Sequence, residues 1–419
     1  MSHFSIQCRN CGKLLENAYC AFCEHCKDAL LVTQYYDTRF SESAASGVWR
    51  FNWLPVHEPN ISQPGPVVYR SKGLADKLGL SNLFIAFNGY WPEKGALLET
   101  CTFKEFEAAI VLQNARENNI EGLIVASAGN TARAFAHLSA TTGFPAVIVV
   151  PRMCLMEMWY LEDRFAVPTL AVHDGDYSDA IDVAKRIAMT TGFPFEGGVK
   201  NIAKRDGLGI VMLEAVSKIG KLPDHYIQAV GSGTGAVGAW EMTERFVKDG
   251  RYGSRLPILH LGQNLPFAPM MHAWNKRSRT LSPEDLNPEL ISQITTRVLS
   301  TRYPAYSVKG GVYDALTSTN GKMYGITNDA VYAGMELFLK TEGIDLVPAS
   351  GVAVAVLKDA VRTGAIKKDE TVLVNITGGG EARLKEDKKT YSVVPKFISK
   401  NISEKEIEAL LCNVLKKNS

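Results

Sequence analysis

The chain has no apolar run approaching the ~20 residues that a membrane span needs; its most apolar stretches, such as Ala146 to Val150, are short. It has no excess of charge of one sign. Lys plus Arg total 46 against 44 Asp plus Glu, a formal net charge of +2, and a dedicated nucleic-acid binder needs a clear basic surplus. The first ten residues lack a basic region followed by an apolar core, so no secretory signal is expected. No internal repeat recurs at a period of 20–50 residues. Cysteine is scarce over most of the chain: five of the eight fall within the first 26 residues. That clustering does not suit a disulfide framework and fits metal binding in a reducing compartment, so a cytoplasmic location is expected.

What is present is an ordinary globular composition of 419 residues, 46% apolar and 21% charged, enough for two or three domains. Residues 1–36 are Cys-rich and hold too little apolar material to bury a core without a staple. Cys8-x-x-Cys11 and Cys23-x-x-Cys26 form two knuckles and point to a tetrahedral structural zinc, with Cys20 and His25 as alternative ligands. Small and polar residues follow from Ser41 to Gly47, then an aromatic stretch containing Trp49 and Trp53, expected with Trp91 in the core.

Beyond that point strand and helix signals alternate. Strands are predicted at Phe84 to Phe87, Leu123 to Ala126, Ala146 to Val150, Leu170 to Val172, Tyr226 to Val230, Pro257 to Leu261 and Thr371 to Ile376. Helices are predicted over Phe103 to Asn118, Thr131 to Thr141, Tyr177 to Thr190, Gly207 to Ile219, Thr327 to Thr341 and Ser350 to Thr363. Apolar strands alternating with helices imply βαβ units, hence an α/β fold of parallel sheets covered by helices on both faces. The tail carries a capping box at Ser403 and Glu406 and reads as a packing helix over 401–419.

Four segments carry candidate chemistry. The strand ending at Val230 runs into Gly231-Ser232-Gly233-Thr234-Gly235, where backbone N–H groups and a helix N-terminus make a phosphate cradle. Gly233-x-Gly235-x-x-Gly238 fits a dinucleotide fingerprint, but the next strand ends Leu261-Gly-Gln-Asn264 without the required carboxylate. A single phosphate is therefore expected rather than NAD. Lys104 opens a helix among apolar and small residues, where desolvation lowers an amine's pKa and favours a Schiff base. Ser127-Ala128-Gly129-Asn130-Thr131 is a second strand-to-helix turn suited to a carboxylate, or simply a capped turn. Thr377 precedes three glycines at the end of an apolar strand. His137 and Cys101 are read as packing residues beside these segments.

The order of these segments resembles the fold-type II pyridoxal phosphate enzymes, the tryptophan synthase β-like family. The Cys-rich ribbon and the Thr-Gly ending resemble its threonine synthase branch. Phe87 to Glu93, Thr100 to Glu105, Ala126 to His137, Glu196 to Gly198 and Ala229 to Gly235 are similar to cysteate synthases, which serve coenzyme M biosynthesis. The resemblance spans roughly Trp49 to Gly380.

It implies two parallel-sheet α/β domains with an N-terminal zinc-ribbon-like segment. The large domain is expected over 37–98 and 206–400, the small one over 99–205. It implies that Lys104 forms the Schiff base with pyridoxal 5′-phosphate, that Asn130 bonds the ring oxygen, that Gly231 to Gly235 hold the phosphate and that Thr377 faces the ring nitrogen. The implied reaction joins O-phosphoserine and sulfite into cysteate and phosphate. The rivals are a threonine synthase acting on O-phosphohomoserine and a related β-replacement with another nucleophile. Both substrates are anionic, so Arg133, Lys200, Lys204 and Arg205 are the candidate cations, with Ser127, Ala128, Gly129 and Thr131 around the substrate. The resemblance also implies a homodimer.

Overall fold

The computed structural model describes residues 3–15, 19–161 and 167–415, with side chains up to 410. Two parallel sheets organise the chain. The larger has six strands in the order Lys322–Ile326, Ile258–Asn264, His225–Ala229, Thr371–Ile376, Asn82–Phe87 and Val67–Arg70. All neighbours are parallel except the edge strand Val67–Arg70, which runs antiparallel to Asn82–Phe87. Thr371–Ile376 is buried at every position, as a strand covered on both faces must be. The smaller sheet has four parallel strands in the order Lys396–Ile398, Thr169–Val172, Ala146–Pro151 and Leu123–Ala126.

The tail departs from the expected boundary. Residues up to 400 were expected with the large domain, yet Lys396–Ile398 pairs beside Thr169–Val172 in the small sheet. The helix Glu404–Leu415 then packs on Tyr177–Thr191, burying Ile407 and Leu410. A three-residue strand carries too little periodicity to be recognised in sequence. The short helices Pro269–Asn275 and Val312–Ser318 and the strands Val67–Arg70 and Lys322–Ile326 escaped for the same reason. The helix predicted from Gly207 begins earlier, at Ile202, because the Asn201 side chain caps it by accepting from the Lys204 N–H.

The helix Lys104–Glu117 links the two sheets: it packs against both Asn130–Thr142 and Ile202–Ile219. Eleven of its 14 residues are buried, among them Glu105 and Glu107, so little of the helix reaches solvent.

The N-terminal segment forms a three-stranded antiparallel sheet of Leu14–Leu15, Phe4–Cys8 and Leu31–Tyr35. Phe4, Ile6, Leu30 and Leu31 belong to the main core rather than to a separate one. Trp53 is fully buried, while Trp49 and Trp91 are partly so. Among the described residues, no helix is long and apolar enough to cross a membrane.

Candidate active site

Ligands in open parallel sheets bind beyond the carboxyl ends of the strands, and the largest set of the predicted residues meets there. One cavity is lined by Lys104, the Ser127–Thr131 turn, Lys204, Gly231 to Gly235 and Thr377. The first two come from the small-sheet side and the last two from the large sheet.

The Gly-rich turn follows the strand His225–Ala229 and leads into the helix Thr234–Asp249. Gly233 caps that helix with φ of +83°, in the left-handed region. A Cβ there would run into Val312, and one at Gly231 would come within 2.8 Å of the Leu299 backbone. The N-cap glycine offers no side chain to cap the helix; the Thr234 N–H reaches the Ser232 hydroxyl at 3.4 Å, and the N-terminal end of the helix lines the cavity as a source of donors. Ser232 and Thr234 hydroxyls sit 2.9 Å apart beside them. This donor set fits a phosphate monoester.

At the other end, Lys104 opens its helix with Nζ 4.9 Å from the Phe103 ring centre. Burial pushes its pKa below the ordinary lysine value; Glu107 opposes that shift and Lys204 reinforces it. A buried amine with a lowered pKa at one end of a cavity, and a phosphate cradle at the other, fit pyridoxal phosphate. Asn130 is the first residue of the helix Asn130–Thr142, after Gly129. The Gly129 N–H bonds the Ser127 hydroxyl at 3.0 Å, which fixes the turn. Thr377 is buried at the strand end, its carbonyl accepting from the Phe103 N–H at 3.0 Å.

Residues 73–378 match the family model for pyridoxal-phosphate dependent enzymes. A cysteate synthase of Methanosarcina barkeri is 46% identical over 411 residues, covering 96% of this chain and 98% of that protein. One from Methanosarcina mazei is 44% identical over 420 residues, covering 98% and 100%. The chain belongs to the pyridoxal-phosphate dependent enzyme family, among its cysteate synthases. Solved structures agree on the fold of the family. Maize serine racemase superposes with a TM-score of 0.55 at 15% identity, covering 76% of this chain and 90% of that one. Processed threonine deaminase isoform 2 from Solanum lycopersicum gives 0.55 at 16%, covering 76% and 82%.

The four candidate cations of this family member part company in the structure. Lys204 lines the cavity, 3.0 Å from Glu196 and 3.4 Å from Glu107. Arg133 lies behind the cavity, 2% exposed. It donates to the Thr100 carbonyl at 2.8 Å, pairs with Glu381 at 3.0 Å and stacks 4.3 Å over Trp159. Arg205 is fully buried and pairs with Glu241 at 3.0 Å; it also donates to the carbonyls of Val199 and Leu31, tying the N-terminal sheet to a cavity-lining loop. Lys200 is exposed and outside the cavity lining. His137 is buried within the small-domain helix, 3.6 Å from Glu99, and Cys101 is buried with φ of +57°.

Several lining residues carried no sequence signal. Tyr177 begins the helix after Thr169–Val172, at the carboxyl end of the small sheet, so the strand-end rule would have found it. Val298 lies in the single 3-10 turn Arg297–Leu299, and Thr301 and Tyr303 in the irregular stretch after it, where no periodicity marks them. That segment crosses to the small domain, where Arg302 forms a two-point ion pair with Asp176 at 2.7 and 3.0 Å.

The Cys-rich segment brings Cys8, Cys11, Cys23 and Cys26 together, with all four sulfurs within 4.8 Å of one another. Cys11 and Cys23 sulfurs are 3.8 Å apart, the edge expected of a tetrahedron with metal–sulfur bonds of about 2.3 Å. Cys20 instead donates to the Phe22 carbonyl, and His25 pairs with Lys13.

Proposed function

We propose that this chain catalyses a pyridoxal-phosphate-dependent β-replacement, converting O-phospho-L-serine and sulfite to L-cysteate and phosphate. The carrying observation is Lys104: a desolvated amine facing a phosphate cradle, in a chain 46% identical to a cysteate synthase over nearly its whole length. When bound, the cofactor supplies the electron sink that lets a Cα–H bond ionise and a β-substituent depart. Gly231 to Gly235 and the helix they open bind its phosphate. Asn130 and Thr377 orient its ring. A threonine hydroxyl, unlike a carboxylate, does not hold the ring nitrogen protonated, which favours loss of the β-substituent over reprotonation elsewhere.

The Ser127–Thr131 turn offers N–H groups and hydroxyls to the substrate carboxylate. Lys104 Nζ takes the Cα proton and later returns it. The Cβ–O bond to phosphate breaks, and a bond from the sulfite sulfur to Cβ forms in its place. Of the four candidate cations, Lys204 alone lines the cavity, but Glu107 and Glu196 already neutralise it, so the backbone N–H groups of the two turns are the donors left for the anionic substrates.

The test is phosphate release from O-phosphoserine against O-phosphohomoserine, with and without sulfite. Release from O-phosphoserine with sulfite incorporated into product supports the proposal. Release from O-phosphohomoserine in its place refutes it.

For the cysteine cluster the chemistry points to one structural zinc held by Cys8, Cys11, Cys23 and Cys26. One equivalent of zinc in protein purified without chelator, lost with the Cys11→Ser variant, is the expected result; metal-free wild-type protein with four reactive thiols refutes it. A homodimer is the proposed assembly, checked by sedimentation.

A further inference from the structure

Glu107 lies one helical turn after Lys104, so both side chains leave the same face of the helix. Its carboxylate is fully buried. Oε2 accepts from Lys104 Nζ at 3.0 Å, and Oε1 accepts from the Thr131 hydroxyl at 2.6 Å. Lys204 Nζ approaches Oε1 at 3.4 Å and reaches on to Glu196 Oε2 at 3.0 Å. The other oxygen of Glu196 is buried without a hydrogen-bond partner. Two ammonium groups and two carboxylates therefore alternate in one buried line that begins at the reacting nitrogen.

The remaining groups around this line are few. Tyr177 lines the same cavity as Lys204, and burial raises its pKa to about 12, so it stays neutral; the Gly198 N–H donates to Glu196 Oε2 at 3.2 Å, and burial and Glu196 keep the Tyr19 hydroxyl neutral. The Phe103 ring flanks Lys104. The phosphate cradle makes no contact with this carboxylate, and the Ser127–Thr131 turn uses one of its oxygens through the Thr131 hydroxyl, which leaves the other to Lys104. An ion in such a place is costly unless it is paired.

We propose that Glu107 sets the proton affinity of the Lys104 amine, with Lys204 as its counterweight on the same carboxylate. This deepens the function proposed above and rests on Lys104 being the cofactor lysine. During turnover Nζ must serve both as a neutral nucleophile and as a carrier of the Cα proton. Glu107, 3.0 Å away, stabilises the ammonium formed when Nζ accepts that proton. Lys204 shares the carboxylate and so limits that stabilisation, which lets Nζ give the proton back to Cα. With Lys104 protonated Glu107 is ionised: burial opposes its charge, but the two ammonium groups and the Thr131 hydrogen bond outweigh burial and hold its pKa below the usual value. Lys204 is held charged in the same way, with Glu107 and Glu196 outweighing the cost of its burial.

The experiment titrates Lys104 in the cofactor-free full-length protein. Its rate of acylation by acetic anhydride is followed against pH by peptide mass spectrometry. A charge at this distance shifts a neighbour by about one to three pH units. In Glu107→Gln the Lys104 titration moves down by about one unit or more, and in Lys204→Met it moves up by a similar amount. A purely structural role loosens the site in both variants and carries both titrations up toward an ordinary lysine. Glu107→Asp keeps the charge but draws it back from Nζ, so it moves the titration down by less and serves if Glu107→Gln fails to fold. An unchanged or raised titration in the Glu107 variants overturns the proposal. Borohydride reduction of the holoenzyme with peptide mapping tests the cofactor lysine separately. A label elsewhere refutes that assignment, whereas a label on Lys104 with an unmoved titration refutes only the role of Glu107.

Discussion

Two chains of largely buried polar side chains lie near opposite ends of the strand His225–Ala229 in the large sheet. At its amino end, Glu370, His225, His260 and Tyr324 are joined by contacts of 2.9, 3.0 and 2.7 Å. At its carboxyl end lie the Gly-rich turn and, across the cavity, Lys104, Glu107, Lys204 and Glu196. The two chains are similar in length but not in charge, and the His260 chain ends on the partly exposed Glu370. Burial and the neighbouring His225 push the His260 pKa down to about 3, so at neutral pH its ring is an uncharged link between its neighbours. The Lys104 chain keeps its ions and abuts a cavity lined by the N-terminal ends of two helices. A buried polar chain thus becomes a reaction site only where it meets helix N-termini at the carboxyl edge; at the other edge the same kind of chain only completes hydrogen bonding.

The sharpest way to break this comparison is Lys104→Ala. It removes the visible absorbance of the bound cofactor and lowers turnover by about a thousandfold or more, since a positioned acid–base group alone contributes roughly 10²–10⁴. A variant that keeps its absorbance would place the chemistry elsewhere. Glu107→Leu leaves Lys104 and Lys204 without their shared anion and destabilises the fold by about 3–5 kcal/mol, the usual cost of a broken buried pair. Urea unfolding measures it.

The His260 chain predicts a pH effect on stability rather than on turnover. The folded-state pKa of about 3 lies below the unfolded value of 6.5, so below pH 6.5 the unfolded chain binds a proton that the folded one does not. This contribution is complete above pH 6.5 and declines by about 1.4 kcal/mol per pH unit as the pH falls toward 3. His260→Asn flattens that decline and leaves turnover near pH 7 unchanged. Unfolding free energy measured from pH 7 to 4 decides it. The smallest effect is expected from Arg302→Gln, which opens the ion pair to Asp176 between the cavity-lining segment and the small domain. Partly exposed pairs contribute about 0.2–1 kcal/mol, so KM rises by up to about fivefold with kcat nearly unchanged.

Much of the site was legible because its chemistry is local. Lys104, Ser127–Thr131, Gly231–Gly235 and Thr377 each sit within a few residues of a strand end or helix start, and all line one cavity. Arg133 and Arg205 were candidates because their segments were right, yet their guanidinium groups turn to Glu381 and Glu241. Direction is set by which carboxylate a distant helix brings near. Glu107 had the opposite fate: it sits three residues from Lys104, but a glutamate on a helix is ordinary until its burial is known.

By itself the sequence determined the alternation of strand and helix, the glycine turns and the cysteine spacing, because hydrophobic periodicity and backbone freedom act over a few residues. Only the tertiary structure decided that the last strand joins the small sheet, which arginines are already paired, and that three charges line up behind the Lys104 amine. Those outcomes depend on desolvation and Coulomb interactions between segments far apart in the chain, and both exist only once the segments have packed.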